Sequence, residues 1–489
     1  MRSSRRSPQR FAAALCLCGL VTAACGASEQ VRLQVAGRNP AAAGGGSAQL
    51  AGADVGGATS GGATGSAVSG AAPTTGPIAA AAAGGGSGNT TAGSTAGSAS
   101  GSSAGADSAP PPAPVSGNGG ATDIGVTATQ IKIGASFFNG GFLDKYSRSV
   151  EQAASAYFNL INDNGGIYGR KITFDPCDTQ GTADGTQQCI RRLVEQDKVF
   201  VMGPSLDFNM DTVAGYVAQH KLPWIGSAGL YDAEWDSPWI FPTQLRGGAV
   251  GNLMTTFVAK TLKKKRLAVS QLRNGAGPAC TKQIRSVAAK LGLTVTYVAE
   301  NNDTESDLTD RVIATRNTNP DVVVFCNDPV NNIKFQQSAS RLGWKPIFIQ
   351  GFGTADDVPQ AIGSSSEGMY GFTPYDHYDV QSKAMLDYRR VTSFYYPNTF
   401  PFSYSVAAWA GAQAVVQALT KAGPHLTRTG FLSAVRGLKH FDVGLGLSFD
   451  FSSPDEVCPP AGHFVQVKNV NGRLAYVPVT GKYAGTGGC

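Results

Sequence analysis

The sequence predicts an α/β fold of two doubly wound parallel-sheet lobes, and three observations predict it. Strand and helix patterns alternate from about residue 123 onward, the alternation restarts at Lys263, and the residues before 123 lack what a core requires.

The break at 123 is compositional. The chain has 489 residues and 62 glycines, too many for a uniformly globular protein. The excess lies in residues 26–122, which are almost wholly Ala, Gly, Ser, Thr and Pro. No aromatic residue occurs between Phe11 and Phe137, and no Lys or Arg between Arg38 and Lys132. Such a stretch cannot bury enough apolar surface to offset the entropy of ordering it, so it is expected to be a disordered tether. With Gly-rich statistics its reach is about 50–60 Å. Gly101-Ser102-Ser103-Ala104-Gly105 fits the Gly-x-Ser-x-Gly pattern of serine hydrolases, but no strand precedes it and no helix follows, so the match is chance. Ahead of the tether, Arg2, Arg5, Arg6 and Arg10 form a basic start and residues 11–24 an apolar run. That run is shorter than the roughly 20 residues of a membrane span and reads as a signal peptide. The net charge of +6 is small and dispersed among carboxylates, which argues against nucleic acid as a partner.

Residues 131–138 read as a strand. Residues 145–164 have helical spacing, with Val150, Ala153, Ala154, Tyr157, Phe158 and Ile161 on one face. A strand over 171–174, a helix over 185–195, a strand over 199–202, a helix over 210–220 and a strand over 223–225 complete the first series. The second series runs strand 266–271, helix 281–291, strand 294–298, helix 308–316, strand 321–326, helix 333–342 and strand 346–350. Such alternation makes right-handed βαβ units, and ligands of open sheets sit beyond the carboxyl ends of the strands.

The residues carry a resemblance. Ile131-Lys132-Ile133-Gly134, then the helix ending Asn162-Asp163-Asn164-Gly165-Gly166-Ile167-Tyr168-Gly169-Arg170, then Asp175-Pro176-Cys177-Asp178, resemble the opening of leucine/isoleucine/valine-type periplasmic binding proteins. Met202-Gly203-Pro204-Ser205, Leu222-Pro223-Trp224-Ile225, Asn319-Pro320-Asp321-Val322-Val323, Glu367-Gly368 and a late helix over 404–422 follow in the same order. The resemblance covers nearly all of 123–480. It implies the type I periplasmic-binding fold, with crossings between lobes near 245–248, 371–374 and 444–447. Lobe 1 would be 123–246 plus 374–445 and lobe 2 247–373 plus 446–489. The Gly-Gly-Ile-Tyr-Gly-Arg segment reads as scaffold, its glycines ending a helix and turning into a strand. Val21-Thr22-Ala23-Ala24-Cys25 resembles the bacterial lipobox, with Thr22 where leucine is usual. Lipidation of Cys25 at the outer face of the plasma membrane is the implied outcome, ordinary cleavage with an incidental thiol the alternative.

The candidate ligand residues lie in loops after strands: Asn139 and Phe142; Ser205 and Phe208; Ser227, Ala228, Gly229 and Tyr231. In the resembled family, loops matching Ser205 and Ser227 to Gly229 hold an amino acid's carboxylate. The alternative is that both serines merely cap helices. The second lobe departs from the family, reading Asn274-Gly275-Ala276-Gly277 after its first strand and Gly351-Phe352-Gly353-Thr354 where a carboxylate for an ammonium group is expected. Either Asp328 or Asp356 substitutes, or the ligand carries no ammonium. Asn274, Asp328 and Phe352 complete the candidate set, and Phe142, Phe208, Tyr231 and Phe352 either line the cleft or pack the lobe cores.

Cys16 and Cys18 leave with the signal. Six cysteines then remain beside Cys25, an even number that suggests disulfides in an exported chain: Cys177 with Cys189, Cys458 with Cys489, and Cys280 with Cys326. No Cys-x-x-Cys occurs and no histidine lies at ligand spacing, so no metal is expected. No Walker loop, His-Glu-x-x-His, dinucleotide fingerprint or credible nucleophile elbow appears, and neither an enzyme nor a cofactor is expected. Lys263-Lys264-Lys265-Arg266 reads as a solvated helix end, with contact to lipid headgroups or a transporter as the alternative. The expectation is a monomeric, lipid-anchored solute-binding protein that closes its lobes on a small molecule, an amino acid or related metabolite, and feeds an ABC importer's permease subunits. A receptor of the same fold without transport and an envelope hydrolase are the alternatives.

Overall fold

Alternating burial in the first strand already sets the layering. In β1 (Gln130–Phe137) Ile131 and Ile133 are fully buried, and its neighbours β2 (Lys171–Asp178) and β3 (Val201–Met202) pair with it in parallel. With β4 (Trp224–Ile225) and β5 (Ile240–Phe241) they form a five-stranded parallel sheet of order β2-β1-β3-β4-β5. This is a computed structural model, and it describes residues 117–140, 143–273, 275–302, 305–452 and 460–486. The signal segment, Cys25, nearly all of the tether, Phe142, Asn274, Cys458 and Cys489 lie outside the described residues.

The helix Asp144–Asp163 covers one face of this sheet, burying Tyr146, Val150, Ala153, Ala154, Phe158 and Ile161 as the 3.6-residue period requires. Against it packs the helix Ser403–Ala422, whose buried Ala407, Ala408, Ala410, Gly411 and Ala414 permit a close approach. Tyr157 meets Trp409 edge to face at 4.9 Å.

The second sheet builds on β6 (Arg266–Leu272), β7 (Thr294–Asn301), β8 (Val322–Cys326), β9 (Ile347–Gln350) and β10 (Tyr370–Thr373), all parallel. After a small ribbon of β11 (Phe441–Asp442) and β12 (Ser448–Phe449), the chain returns as β13 (Ala461–Val470), antiparallel to β10. It then turns into β14 (Arg473–Pro478), and a short β15 (Tyr483–Ala484) also pairs with β13. The order is β14-β13-β10-β9-β8-β6-β7. The antiparallel addition belongs to no βαβ unit and departs from the purely parallel expectation.

The chain passes between the sheets three times, and the three passages are bonded to one another. The Tyr375 hydroxyl donates to Thr243 O at 2.6 Å, and Asp376 N donates to Leu445 O at 2.8 Å. Short, mutually tied segments of this kind are where a two-lobed protein can hinge.

The Gly-Gly-Ile-Tyr-Gly-Arg segment is scaffold. Gly166 has φ +77° and an added Cβ would lie 2.0 Å from Arg170 O. Arg170 itself is buried and donates to the carbonyls of Thr127, Pro424, Asn118 and Gly120. Those last two partners correct the tether boundary. Residues 117–122 belong to the folded unit, because Arg170 pulls their carbonyls inward and Asn118 donates to Ala128 O and Tyr168 O.

Candidate functional site

In each sheet the strand order reverses beside the first strand, between β1 and β3 in lobe 1 and between β6 and β8 in lobe 2. Loops leaving such strands diverge and open a crevice. Here the two crevices face each other across a cavity of about 580 Å³ including its mouth. Lobe 1 supplies Phe138, Leu143, Tyr146, Leu206, Phe208, Leu230, Phe402 and Tyr404. Lobe 2 supplies Leu272, Gly275, Ala276, Gly277, Cys326, Asn327, Asp328, Pro329, Phe352 and Gly353. Phe138 stacks on Phe208 at 4.3 Å, and Tyr146 and Tyr404 both pack on Phe402, at 5.0 and 5.3 Å.

The lobes touch beside the cavity. The Tyr146 hydroxyl donates to Asp357 Oδ2 at 2.8 Å, Lys145 pairs with the same carboxylate, and Ser403 N donates to Thr354 O at 3.3 Å. Burial, then the neighbouring Asp357 charge, pushes the Tyr146 hydroxyl far above its ordinary range, so it stays a donor.

Of the residues expected to meet a ligand, Phe208, Asp328 and Phe352 line the cavity. Asp328 is chiefly a helix cap. It accepts from Val330 N at 2.7 Å and Asn331 N at 3.0 Å through one oxygen and from Asn331 Nδ2 at 2.6 Å through the other. Asp356 lies off the cavity, accepting from Tyr476 N. The other described candidates lie off the cavity lining. Ser205 is buried and accepts from Ser136 N at 3.1 Å while donating to Gly203 O at 3.0 Å, which ties the end of β1 to the loop after β3. Asn139 bonds Glu151 and Asp178. Tyr231 donates to Phe208 O and stands near Gly275 of the opposite lobe without joining the lining.

Ser227, Ala228 and Gly229 are turned inward by a residue that sequence reasoning missed. Glu234 is fully buried and accepts from Gly229 N and Tyr231 N, both at 3.0 Å, and from Leu230 N, with the Ser227 hydroxyl beside it. Gly229 has φ +64°, and an added Cβ would strike the Trp235 ring at 2.9 Å, so this loop holds one conformation. A glutamate three positions into the turn after Tyr231 is the signal that could have revealed it. Burial pushes the Glu234 carboxyl up to about 7. Asp207, buried beneath the loop after β3 and accepting from Thr186 Oγ1 and Asn209 N, is pushed up by burial to about 6. Both side chains serve the loops and neither lines the cavity.

Two disulfides form among the described residues, and one of them lies at the site. Cys177 and Cys189 are bonded with Cα atoms 5.7 Å apart, joining β2 to the helix Ala183–Arg191. Cys280 and Cys326 are bonded with Cα atoms 6.2 Å apart, joining the helix Ala276–Leu291 to the end of β8 at the lobe-2 crevice.

The sequence profile described as periplasmic binding protein matches residues 130–472. A comparison by sequence with curated proteins finds no match. Several solved structures share the fold. A fatty acid ABC transporter substrate-binding protein from Thermomonospora curvata is 21% identical, with 76% of this chain and 96% of that chain covered and a TM-score of 0.69. The branched-chain amino acid transporter substrate-binding protein LivJ from Streptococcus pneumoniae, in complex with isoleucine, is 17% identical over 72% and 100%, with a TM-score of 0.61. A solute-binding protein of an ABC transporter from Rhodopseudomonas palustris, in complex with 3,4-dihydroxybenzoic acid, is 18% identical over 73% and 98%, with a TM-score of 0.64.

Proposed function

Because the chain belongs to the periplasmic binding protein family, we propose that its interlobe cleft captures one small solute, closes over it and delivers it to the permease subunits of an ABC importer. The observation that carries this reading is the cavity itself, which draws its walls from the switch points of both lobes and is flanked by a contact between them. Binding free energy spent on both walls at once favours the arrangement in which the lobes meet, and that arrangement is what a permease would recognise.

Asp357 is the reporter of closure. It receives Tyr146 and Lys145 from the other lobe and does not itself line the cavity, so its loss weakens the closed form and releases the hydroxyl of one wall residue, Tyr146. Solution scattering should show a smaller radius of gyration with saturating solute, and Asp357→Ala should lower affinity about tenfold. An unchanged radius under saturation would sink the closure mechanism.

The family places the domain outside the cytoplasm. The proposed anchor is a lipid on Cys25, holding a monomeric chain to the outer face of the plasma membrane. Its support is the basic start, the short apolar run and the Thr22-Ala23-Ala24-Cys25 sequence. In a bacterial host, Cys25→Ala should move the protein from the membrane fraction to the soluble one, and equal membrane retention would refute the anchor. The fold neighbours are described with a fatty acid, isoleucine and a dihydroxybenzoate, so the fold leaves the solute open and the lining of this cleft must decide it.

A further inference from the structure

The chemistry of the solute follows from which polar groups of the cleft are already used, given that the cleft is the solute site. An amino acid brings two charges, and a charge taken out of water costs several kcal/mol unless it is paired. No Lys, Arg or His lines the cavity among the described residues, and its one carboxylate, Asp328, is spent on two backbone amides and a side-chain amide. An ammonium group would therefore meet only a carboxylate whose charge is already shared among three N–H donors of its own helix. The amides of Gly229, Leu230 and Tyr231 are no better placed for a ligand carboxylate, because the chain's own Glu234 carboxyl fills them.

Two donors remain. The Tyr404 side chain is more than nine-tenths buried, lines the cavity and makes no hydrogen bond among the described residues. Its phenol is held protonated by burial and by nearby Glu234, so it acts as a donor. The second is the first turn of the sixteen-residue helix Ala276–Leu291, whose N-cap Gly275 has no capping side chain and which presents Gly275, Ala276 and Gly277 to the cavity. First-turn N–H groups favour an oxygen acceptor. The rest of the wall is mostly apolar, with Leu143, Leu206, Leu230 and Phe352 among it, and its remaining polar side chains bond within the protein: Tyr146 donates to Asp357, and Asn327 donates to Ser270 and accepts from Asn301.

We infer that the cleft takes an apolar molecule with one oxygen-acceptor head group and no ammonium group, the head meeting the Tyr404 hydroxyl. A carboxylic acid and its neutral amide share this chemistry, and the test separates them.

Calorimetric titration of the full mature chain should use matched sets with one apolar body each: 4-methylpentanoic acid, 4-methylpentanamide and leucine; 3-phenylpropanoic acid, 3-phenylpropanamide and phenylalanine; octanoic acid, octanamide and 2-aminooctanoic acid. In at least one set the acid or the amide should bind about 100-fold tighter than the amino acid. Preference for the acid assigns the head to the first turn of the helix as well as to Tyr404, and preference for the amide assigns a neutral head; either ranking upholds the inference. Tyr404→Phe should weaken the preferred member about tenfold while leaving the melting temperature unchanged, since this hydroxyl bonds nothing else. An amino acid binding as tightly as its deaminated partner overturns the inference and leaves solute capture standing. So does a wild-type affinity in Tyr404→Phe. If all nine fail while a broader metabolite screen yields a binder, the inference is wrong; if that screen is also empty, solute capture itself is wrong.

Discussion

Replacing Cys280 and Cys326 together with alanine is expected to lower the unfolding free energy by about 4 kcal/mol and to weaken solute binding in the same protein. The bridge closes a loop of sequence separation 46, against 12 for Cys177–Cys189, whose loss should cost about 3 kcal/mol in the same chain-entropy picture. Position separates the two more sharply than length. Cys280 is fully buried in the helix whose first turn faces the cavity, and Cys326 ends β8 and lines the cavity itself. Cutting that bond frees the two edges of the lobe-2 crevice to move apart. The bridge between Cys177 and Cys189 does not line the cavity and sits at the β2 edge of the lobe-1 sheet, so its loss should leave affinity near wild type. Denaturant unfolding and calorimetric titration of both double variants check this, and equal binding defects in the two would contradict the positional argument.

Periodicity and turn chemistry were enough to read the fold. The stripe of Val150, Ala153, Ala154, Phe158 and Ile161 announces a one-sided helix, and the restart at Lys263 announces a second sheet. Boundaries moved where local rules ran out. The helix expected over 281–291 begins five residues earlier, at Ala276, because a first turn of Ala, Gly and Pro looks like loop until Leu272 and the cavity are in place. The strands β13 and β14 escaped because they pair antiparallel with an edge that only the folded sheet presents.

The site was less legible than the fold, for a topological reason. Loops after strands are readable, and they led to Phe208, Asp328 and Phe352. Phe402 and Tyr404 come from the start of a helix far down the chain, brought to the cavity only by its packing on the helix Asp144–Asp163. The serine hydroxyls and glycine amides that resemblance assigned to a ligand have partners within the chain instead. Their partners, Gly203 O for Ser205 and Glu234 for the loop after β4, are intrachain groups whose burial no spacing rule reveals.

Glu234 also makes the protein's stability depend on pH in a direction opposite to that of a salt-bridged carboxylate. Burial raises its pKa from 4.5 to about 7, so between those values the folded chain holds a proton that the unfolded chain has released. The native state then binds more protons, and stability falls as pH rises through that window. For Glu234 the full swing is on the order of 3 kcal/mol, and Asp207, raised to about 6, adds a loss of the same sign. His377 and His463 work the other way: burial lowers both, so the unfolded chain binds the extra proton and stability rises as pH climbs toward 6.5. The whole-protein profile sums these, and comparison with Glu234→Gln isolates one of them. The variant keeps one acceptor for the loop amides but cannot ionise, so it should be less stable than wild type at pH 4.5. The gap should narrow by on the order of 3 kcal/mol by pH 8 as wild type takes on a buried charge. Denaturant unfolding at half-unit steps of pH measures that gap. A gap that stays constant from pH 4.5 to 8 would mean that the three loop amides hold the Glu234 carboxylate at its ordinary pKa, and that the loop after β4 is built around a full negative charge.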